Sequence, residues 1–282
     1  MKTPVDIRPS PIAGFWYTDD PTELADSVDR YMSQAKLPAL EGEVVAVMAP
    51  HAGHRYSGAV AGYAFAALRG LQPELVAVIS PIHDYYPAAL LTTAHHAYET
   101  PLGMIPVDQE ALIALDERLE QNLGYRLAAI RRDKEHSLEI ELPFLQRALA
   151  GEVKLLPVMM LEQSARVAQG LGKALADILR GKQALLVAST DLSHHKSRQV
   201  ADTLDAEVLR CVEAFDPEEV IEAEEQGRGF ACGRGALAAV MWAAKELGAD
   251  TVKILHHANS GDVTGDYGKV VGYGAAVFLR SK

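Results

Sequence analysis

Three histidines stand directly after short apolar segments of the sequence, and their side chains suit metal binding or proton transfer. His51, His83 and His194 follow the apolar runs 44–49, 75–80 and 184–189. Imidazole is the commonest side-chain ligand of iron, copper and zinc, and its unperturbed pKa of about 6.5 also suits general acid–base catalysis. A single histidine of this kind is usually incidental, whereas three at matching positions indicate a functional site.

Cys232 is a candidate for a third metal ligand beside His51 and His83, because it precedes Gly233 at the predicted start of a helix. A thiol near a helix N-terminus tends towards a lowered pKa, and thiolate is the form that ligates metals. A free cysteine is also often a small buried core residue. The spacing alone leaves both interpretations of Cys232 open.

Asp191 and His194 offer a different chemistry, because an aspartate three residues before a histidine can orient the ring and raise its basicity for general acid–base catalysis. The alternative is that Asp191 or Ser193 caps the helix predicted to begin near Lys196. His136 adds a further candidate catalytic histidine, since we expect it at the mouth of the helix predicted over 138–149.

The elements that must position these residues form an alternating pattern of short apolar runs and amphipathic segments. The apolar runs lie at 44–49, 75–80, 153–159, 184–189 and 251–256, and a closing strand is expected at 270–279. Helices are expected at 58–68, 108–121, 138–149, 163–179, 200–215 and 233–247. This alternation predicts a single α/β domain over residues 1–282, with a mostly parallel sheet flanked by helices. Ligands of such sheets bind outside the carboxyl ends of the strands, where the three histidines would meet.

Composition excludes several classes of function. A formal net charge of −11 argues against binding to nucleic acid, which needs a basic face. No apolar run approaches the roughly 20 residues that cross a bilayer, and no signal-peptide pattern opens the chain. With only two cysteines, a disulfide framework is not expected, and we predict a cytoplasmic protein. Walker, dinucleotide-binding, nucleophile-elbow and zincin motifs are absent.

The ordered set of motifs resembles the Memo family (mediator of ErbB2-driven cell motility), whose prokaryotic members are called AmmeMemoRadiSam system protein B. The resemblance covers nearly the whole chain. It rests on Arg8-Pro9, Ala13-Gly14-Phe15-Trp16-Tyr17, Ala49-Pro50-His51-Ala52-Gly53-His54-Arg55-Tyr56-Ser57-Gly58, Ser80-Pro81-Ile82-His83, Glu135-His136-Ser137-Leu138-Glu139, Ser189-Thr190-Asp191-Leu192-Ser193-His194, Ala231-Cys232-Gly233-Arg234 and Asn259-Ser260-Gly261-Asp262. Three positions depart from the family pattern, namely Thr18, His54 and Asp84.

The resemblance implies a fold similar to the class III extradiol dioxygenases of the LigB type. It also implies iron or copper bound by His51, His83 and Cys232, with Asp191, His194 and His136 as neighbouring catalytic groups. The dioxygenases themselves hold Fe(II) with two histidines and a carboxylate. Cysteine in the third position is a softer ligand that admits copper as readily as iron. The family further implies a functional link to AMMECR1-like and radical SAM proteins.

Three hypotheses follow for the function. The first is a metal-dependent oxidoreductase that uses O₂ on a small molecule, with His194 as the proton shuttle. The second is a module that binds a peptide or a small ligand without turnover. Its cleft would contact the ligand through Trp16, Tyr17, Arg55 and Tyr56. The third is metal-free hydrolysis by Asp191 and His194.

Overall fold

The structure is a computed structural model that describes residues 6–281. The strands of this range are β1 (Ile7–Arg8), β2 (Glu43–Ala49), β3 (Leu75–Pro81), β4 (Leu90–Thr93), β5 (Ala97–Thr100), β6 (Gly103–Pro106), β7 (Ala128–Ile130), β8 (Lys154–Met160), β9 (Ala184–Ser189), β10 (His194–Lys196), β11 (Thr251–Asn259) and β12 (Val270–Arg280). Its α-helices are α1 (Pro21–Gln34), α2 (His54–Ala66), α3 (Gln109–Leu123), α4 (Leu142–Ala148), α5 (Ala165–Leu179), α6 (Arg198–Glu213), α7 (Pro217–Glu225), α8 (Arg234–Glu246) and α9 (Gly261–Thr264). A 3₁₀ turn, Glu139–Glu141, precedes α4.

The main sheet has the strand order β10-β12-β2-β9-β3-β8-β4-β7. Outside this order, β11 also pairs with β12. Its four central strands, β2, β9, β3 and β8, run parallel to one another. These strands are almost wholly buried and apolar, as expected for strands covered on both faces. Because β9 lies between β2 and β3, the loop after β9 reaches the loops that follow both neighbours.

Helices cover both faces of the sheet. Helices α1, α2 and α4 pack together on one face, while α3, α5, α7 and α8 pack on the other, and α6 packs on β11 and β12. Helix α1 begins where Asp20 accepts hydrogen bonds from the amides of Thr22 and Glu23, with Pro21 in the first turn. None of the helices in the described range combines the length and apolar character needed to span a bilayer.

The prediction of an α/β fold with a sheet between helices is confirmed, and parallel pairing joins the four central strands and also β4 with β7 at one edge. Strand β12 runs antiparallel to both β11 and β2, and β4 runs antiparallel to β8. The two final strands follow each other through a short connection and form a hairpin-like pair, so β12 returns against the direction of β11. Helix α1 and the three-stranded sheet β1-β5-β6 were not predicted.

A buried ionic cluster attaches the N-terminal segment to the loop before the 3₁₀ turn. Arg8 is only 3% exposed, and its guanidinium donates to both carboxylate oxygens of Asp133 and to the carboxylate of Glu139. It also donates to the carbonyl oxygen of Glu135 at 3.0 Å. Tyr17 joins the cluster by donating its hydroxyl to Glu139 at 2.7 Å. These contacts fix residues 6–17 beside the loop that carries Glu135.

Replacing Arg8 by methionine should strongly destabilise the fold. The change leaves the carboxylates of Asp133 and Glu139 buried without their cation, and losing one partner of a buried ion pair costs about 3–5 kcal/mol. Urea denaturation of Arg8→Met measures this loss. The control is Arg126→Met, because Arg126 pairs with Asp116 through a side chain that is 60% exposed. Nearly equal unfolding free energies for the two variants would contradict a structural role for the Arg8 cluster.

Candidate metal centre

Three histidines from separate loops meet at the carboxyl edge of the central strands. His51 follows β2, His83 follows β3, and His136 lies in the loop before the 3₁₀ turn. One ring nitrogen of each lies within 4.8 Å of the others, which is a spacing that a single metal ion can bridge. The rings of His83 and His136 are stacked with centroids 4.7 Å apart, and the His51 ring stands edge-on to both. The three side chains therefore form a cluster able to hold a metal ion.

The ring of His51 is held in one tautomer by Ser189. The Ser189 hydroxyl donates to the carbonyl of Ser137 at 2.6 Å, so it accepts from Nδ1–H of His51 at 2.9 Å. The Nε2 atom of His51 is then unprotonated, and it lies 3.1 Å from Sγ of Cys232. Burial, followed by the charges of the neighbouring histidines, lowers the pKa of His51 well below its usual value. The ring is therefore neutral, which is the form that ligates metals.

Glu135 orients the other two histidines from below. Its carboxylate accepts Nδ1–H of His83 at 3.0 Å and the backbone N–H groups of His83, His136 and Ser137 at 2.6, 2.9 and 2.8 Å. Burial would raise the pKa of Glu135, but its hydrogen bonds and the nearby histidines outweigh burial and hold the pKa far below its usual value. A metal-binding histidine commonly donates its other ring N–H to an ionised carboxylate, which fixes the tautomer of the ring.

The pKa values of the two histidines beside Glu135 shift in opposite directions, although the Glu135 charge raises both. Burial lowers the pKa of His83, but the hydrogen bond to Glu135 outweighs burial, and the net pKa is raised. Burial dominates at His136 and lowers its pKa to about 4, even though Glu135 opposes the shift. Trp16 covers the outer face of His136, with ring centroids 3.9 Å apart.

Cys232 lies at the edge of the histidine cluster, directly before the helix α8. Its Sγ is 3.1 Å from Nε2 of His51 and accepts the amide of Asp191 at 3.3 Å. Gln163 pins this loop by donating to the carbonyl of Cys232 and accepting from the amide of Gly235, both at 2.8 Å. Burial raises the pKa of the metal-free thiol well above its usual value. Cys232 is thus a half-buried thiol facing the cluster, and a bound cation would favour its thiolate.

Asp191 ties together the loops of His51 and Cys232. Its Oδ1 accepts the amides of His51 at 2.8 Å and Ala52 at 3.3 Å, and its carbonyl accepts the amide of Cys232 at 3.2 Å. Burial raises the pKa of Asp191 to about 7, although both amides oppose the shift. Its position follows from the strand order, because β9 lies between β2 and β3.

The expected partnership between Asp191 and His194 is absent from residues 6–281, where no hydrogen bond joins the two side chains. The Asp191 carboxyl group is occupied by the His51 loop, whereas the short strand β10 directs His194 towards Phe230. Nor does Asp191 cap a helix, because α6 begins later, at Arg198. Burial lowers the pKa of His194 to about 4.

The predicted substrate-contacting residues lie in two environments. Trp16 lies against the histidine cluster, and Arg55 and Tyr56 lie in the first turn of α2, with Tyr56 39% exposed. Tyr17 is buried, and its hydroxyl is bound to Glu139. Tyr17 therefore supports the segment that carries Trp16.

Several residues that build the site were not singled out from the sequence: Glu135, Ser189 and Gln163. Glu135 lies next to His136 within a motif of the family resemblance, so that adjacency was the available signal. Nothing in the sequence spacing pointed to Ser189, which contacts the His51 ring 138 residues away, or to Gln163, which contacts the Cys232 carbonyl 69 residues away.

A second group of candidate ligands, Glu207, Cys211 and Glu219, lies between α6 and α7. Both of its carboxylates form ion pairs with Arg210 and Arg228, and Cys211 is fully buried. These pairs satisfy the negative charge without a metal, so this group is an ionic contact between two helices.

Asp191→Asn should change the pH dependence of stability in the metal-free protein. Because burial raises the folded-state pKa of Asp191 from its ordinary value of 3.8 to about 7, the stability it contributes is full below pH 4 and is lost as pH rises through 7. Asparagine keeps the acceptor oxygen but does not titrate. The unfolding free energy of the variant, relative to the original chain, should rise between pH 5 and pH 8. Urea denaturation in the presence of a chelator measures this difference, and parallel pH profiles would contradict it.

Comparison with known proteins identifies the family. The model of the Memo-like protein family matches residues 8–277. A MEMO1 family protein of Nitrosopumilus maritimus is 33% identical over 97% of this chain and 100% of its own length. Another, from Methanopyrus kandleri, is 32% identical over 97% of this chain and 99% of its own. The crystal structure of an uncharacterized Escherichia coli K12 protein shares the fold at 12% identity, with a TM-score of 0.53, over 83% of this chain and 100% of that one. The chain belongs to the family of Memo-like proteins.

Proposed function

We propose that this chain binds iron or copper at the cluster of His51, His83 and His136 and uses the metal in redox chemistry on a small molecule. The observation that carries the proposal is the convergence of three ring nitrogens within 4.8 Å. The Nδ1–H groups of His51 and His83 donate to Ser189 and Glu135, which leaves Nε2 as the nitrogen of each ring that a metal could bind.

The donor set fits iron and copper better than calcium or magnesium. Imidazole nitrogens suit iron, copper and zinc, whereas calcium and magnesium require oxygen ligands. Cys232 lies close enough to His51 to add a thiolate, which would favour copper(I). A bound iron or copper ion would supply one-electron transfer between a substrate and an oxidant such as O₂.

The protein residues would divide the remaining work between orientation and proton transfer. Glu135 orients His83 and places one negative charge beside the cation. His194 has a pKa of about 4 at the edge of the site, so it is neutral near pH 7 and able to accept a proton from a substrate. Trp16 covers His136 and keeps water from that side of the cluster.

A second candidate function, ligand binding without turnover, is favoured by exposed aromatic side chains close in the sequence to the candidate site residues. Phe15 and Tyr85 are 87% and 84% exposed, and Tyr56 is 39% exposed with Arg55 over its ring. Exposed aromatic and arginine side chains are typical of binding surfaces. A peptide or small ligand would be held there by stacking and charge. Metal-free hydrolysis has less support, because Asp191 is bound to the His51 loop and does not reach His194.

Location and partners remain proposals. Both cysteines are free, which fits the reducing cytoplasm. The acidic net charge argues against nucleic acid as a partner. The functional link to AMMECR1-like and radical SAM proteins stays a prediction from the family resemblance.

Metal binding is tested by titrating the metal-free protein with Fe(II) or Cu(I) under anaerobic conditions. We expect one equivalent to bind, and His51→Ala should abolish tight binding because His51 supplies a buried, pre-oriented nitrogen. His96→Ala is the matched control, since His96 is exposed and lies outside the cluster. Equal metal content in the two variants would rule out the proposed ligation.

The third ligand is tested by comparing Cys232→Ser with His136→Ala. If the thiolate binds the metal, Cys232→Ser should weaken copper(I) by a larger factor than iron(II), because soft ligands favour copper(I). If His136 completes a three-histidine site, His136→Ala should weaken both metals. Competition with chelators of known affinity gives the dissociation constants. A Cys232→Ser protein with unchanged affinity for both metals would remove the cysteine from the ligand set.

Catalysis is distinguished from binding by oxygen uptake. The iron- or copper-loaded protein should consume O₂ in the presence of a phenolic or other small reductant, and His194→Gln should slow the reaction without changing the metal content. The control is His51→Ala treated with the same metal, which should retain no tightly bound metal and consume no O₂. The opposite result is that no phenolic or other small reductant supports O₂ uptake, while small ligands still bind after a chelator has removed the metal. That result would favour ligand binding without turnover over redox chemistry.

A further inference from the structure

A fully buried carboxylate contacts the backbone of the Asp191–His194 loop. Asp205 is on α6 and is 0% exposed. Its Oδ1 accepts the amide of Ser193 at 2.9 Å, and its Oδ2 lies 2.9 Å from Nε2 of His257 on β11. Asp205 thus joins α6, β11 and the loop between β9 and β10 at one point.

The backbone of β12 passes so close to this carboxylate that no side chain fits at residue 272. A Cβ atom at Gly272 would overlap the Asp205 carboxylate, so β12 can pass here only as glycine. The same glycine accepts the amide of Leu192 and donates to the carbonyl of Ser193, both at 2.8 Å. The loop is therefore held by β12 along its backbone and by Asp205 at the Ser193 amide.

A buried carboxylate costs free energy unless charge and hydrogen bonds compensate for it. Among the described residues, Asp205 has two such partners, the Ser193 amide and the partly exposed ring of His257. What a carboxylate adds at this position is a directional hold on Ser193, which lies between Asp191 and His194 in the sequence.

We propose that Asp205, paired with His257, is a positioning residue for the loop that carries Asp191 and His194. Through Ser193 it sets the place of His194 at the edge of the cluster. Through Asp191, whose backbone contacts Cys232 and whose carboxyl group holds the His51 amide, it reaches two candidate metal ligands. The expected effect on metal affinity rests on the proposed function, whereas the expected effects on the Ser193 amide and the His194 ring do not.

The test compares Asp205→Ala with Asp205→Asn. In the metal-free protein, Asp205→Ala should speed hydrogen exchange of the Ser193 amide at least tenfold and shift the ring resonances of His194 in NMR spectra. Asp205→Asn retains an oxygen that accepts the Ser193 amide, so it should restore both signals. For the metal-loaded protein, loss of such a support should weaken Fe(II) or Cu(I) binding by about 10–100-fold in Asp205→Ala.

The matched control is Asp202→Ala, because Asp202 lies one turn earlier on α6, is 45% exposed and pairs with Arg198. It should leave the loop signals and the metal affinity unchanged. A folded Asp205→Ala protein with the original Ser193 exchange and His194 resonances would overturn the proposal.

If Asp205→Ala does not fold, His257→Ala decides the outcome. This variant removes the second partner of Asp205 at a side chain that is 29% exposed. It should release the carboxylate and loosen Ser193, and unchanged exchange at Ser193 would overturn the proposal. Failure of the unmodified chain to bind either metal would contradict the proposed function alone, because the NMR readouts need no metal.

Discussion

The candidate site depends on one buried charge, the carboxylate of Glu135. Four N–H groups, two from His83 and one each from His136 and Ser137, converge on its two oxygens at 2.6 to 3.0 Å. Burial alone would make this carboxyl group neutral, but the converging donors keep it ionised. The ionised Glu135 carboxylate fixes the tautomer of His83 and accepts the backbone amide of His136. Two of the three clustered histidines therefore owe their orientation to a residue that is not itself a member of the cluster.

The position of Glu135 is in turn set by the cluster around Arg8. Arg8 donates to the Glu135 carbonyl, while Asp133, which is bound to Arg8, accepts the Glu135 amide at 3.3 Å. The N-terminal segment that begins at Arg8 also brings Trp16 onto His136. One buried guanidinium thus positions the loop under the histidines and the aromatic ring above one of them. The N-terminal segment and the loop depend on each other, because the buried charges of each are compensated by the other.

The sequence predicted the alternation of strands and helices and three histidines after strands, because hydrophobic periodicity is local. Two of these histidines, His51 and His83, belong to the cluster. Cys232 was proposed mainly through the family resemblance, since its spacing left a core role open. The partners of Asp191 could not be predicted, because they depend on β9 lying between β2 and β3, an order that chain sequence does not encode directly. The same holds for Asp205 and His257, which meet from positions 52 residues apart. Local patterns reveal elements, whereas contacts between loops require the topology.

The carboxyl groups around the cluster differ in charge although all of them are buried. Glu141 is 0% exposed, no N–H group reaches its oxygens among the described residues, and burial raises its pKa well above the usual value although Ser189 opposes the shift. Burial thus favours the neutral form of Glu141 and the donors favour the ionised form of Glu135, while Asp191, with two amides, has a pKa of about 7. The number of N–H groups that reach each carboxyl group sets this order. One fixed negative charge beside His83 suits a cation, and further buried charges would have to be neutralised by protons before the fold could tolerate them.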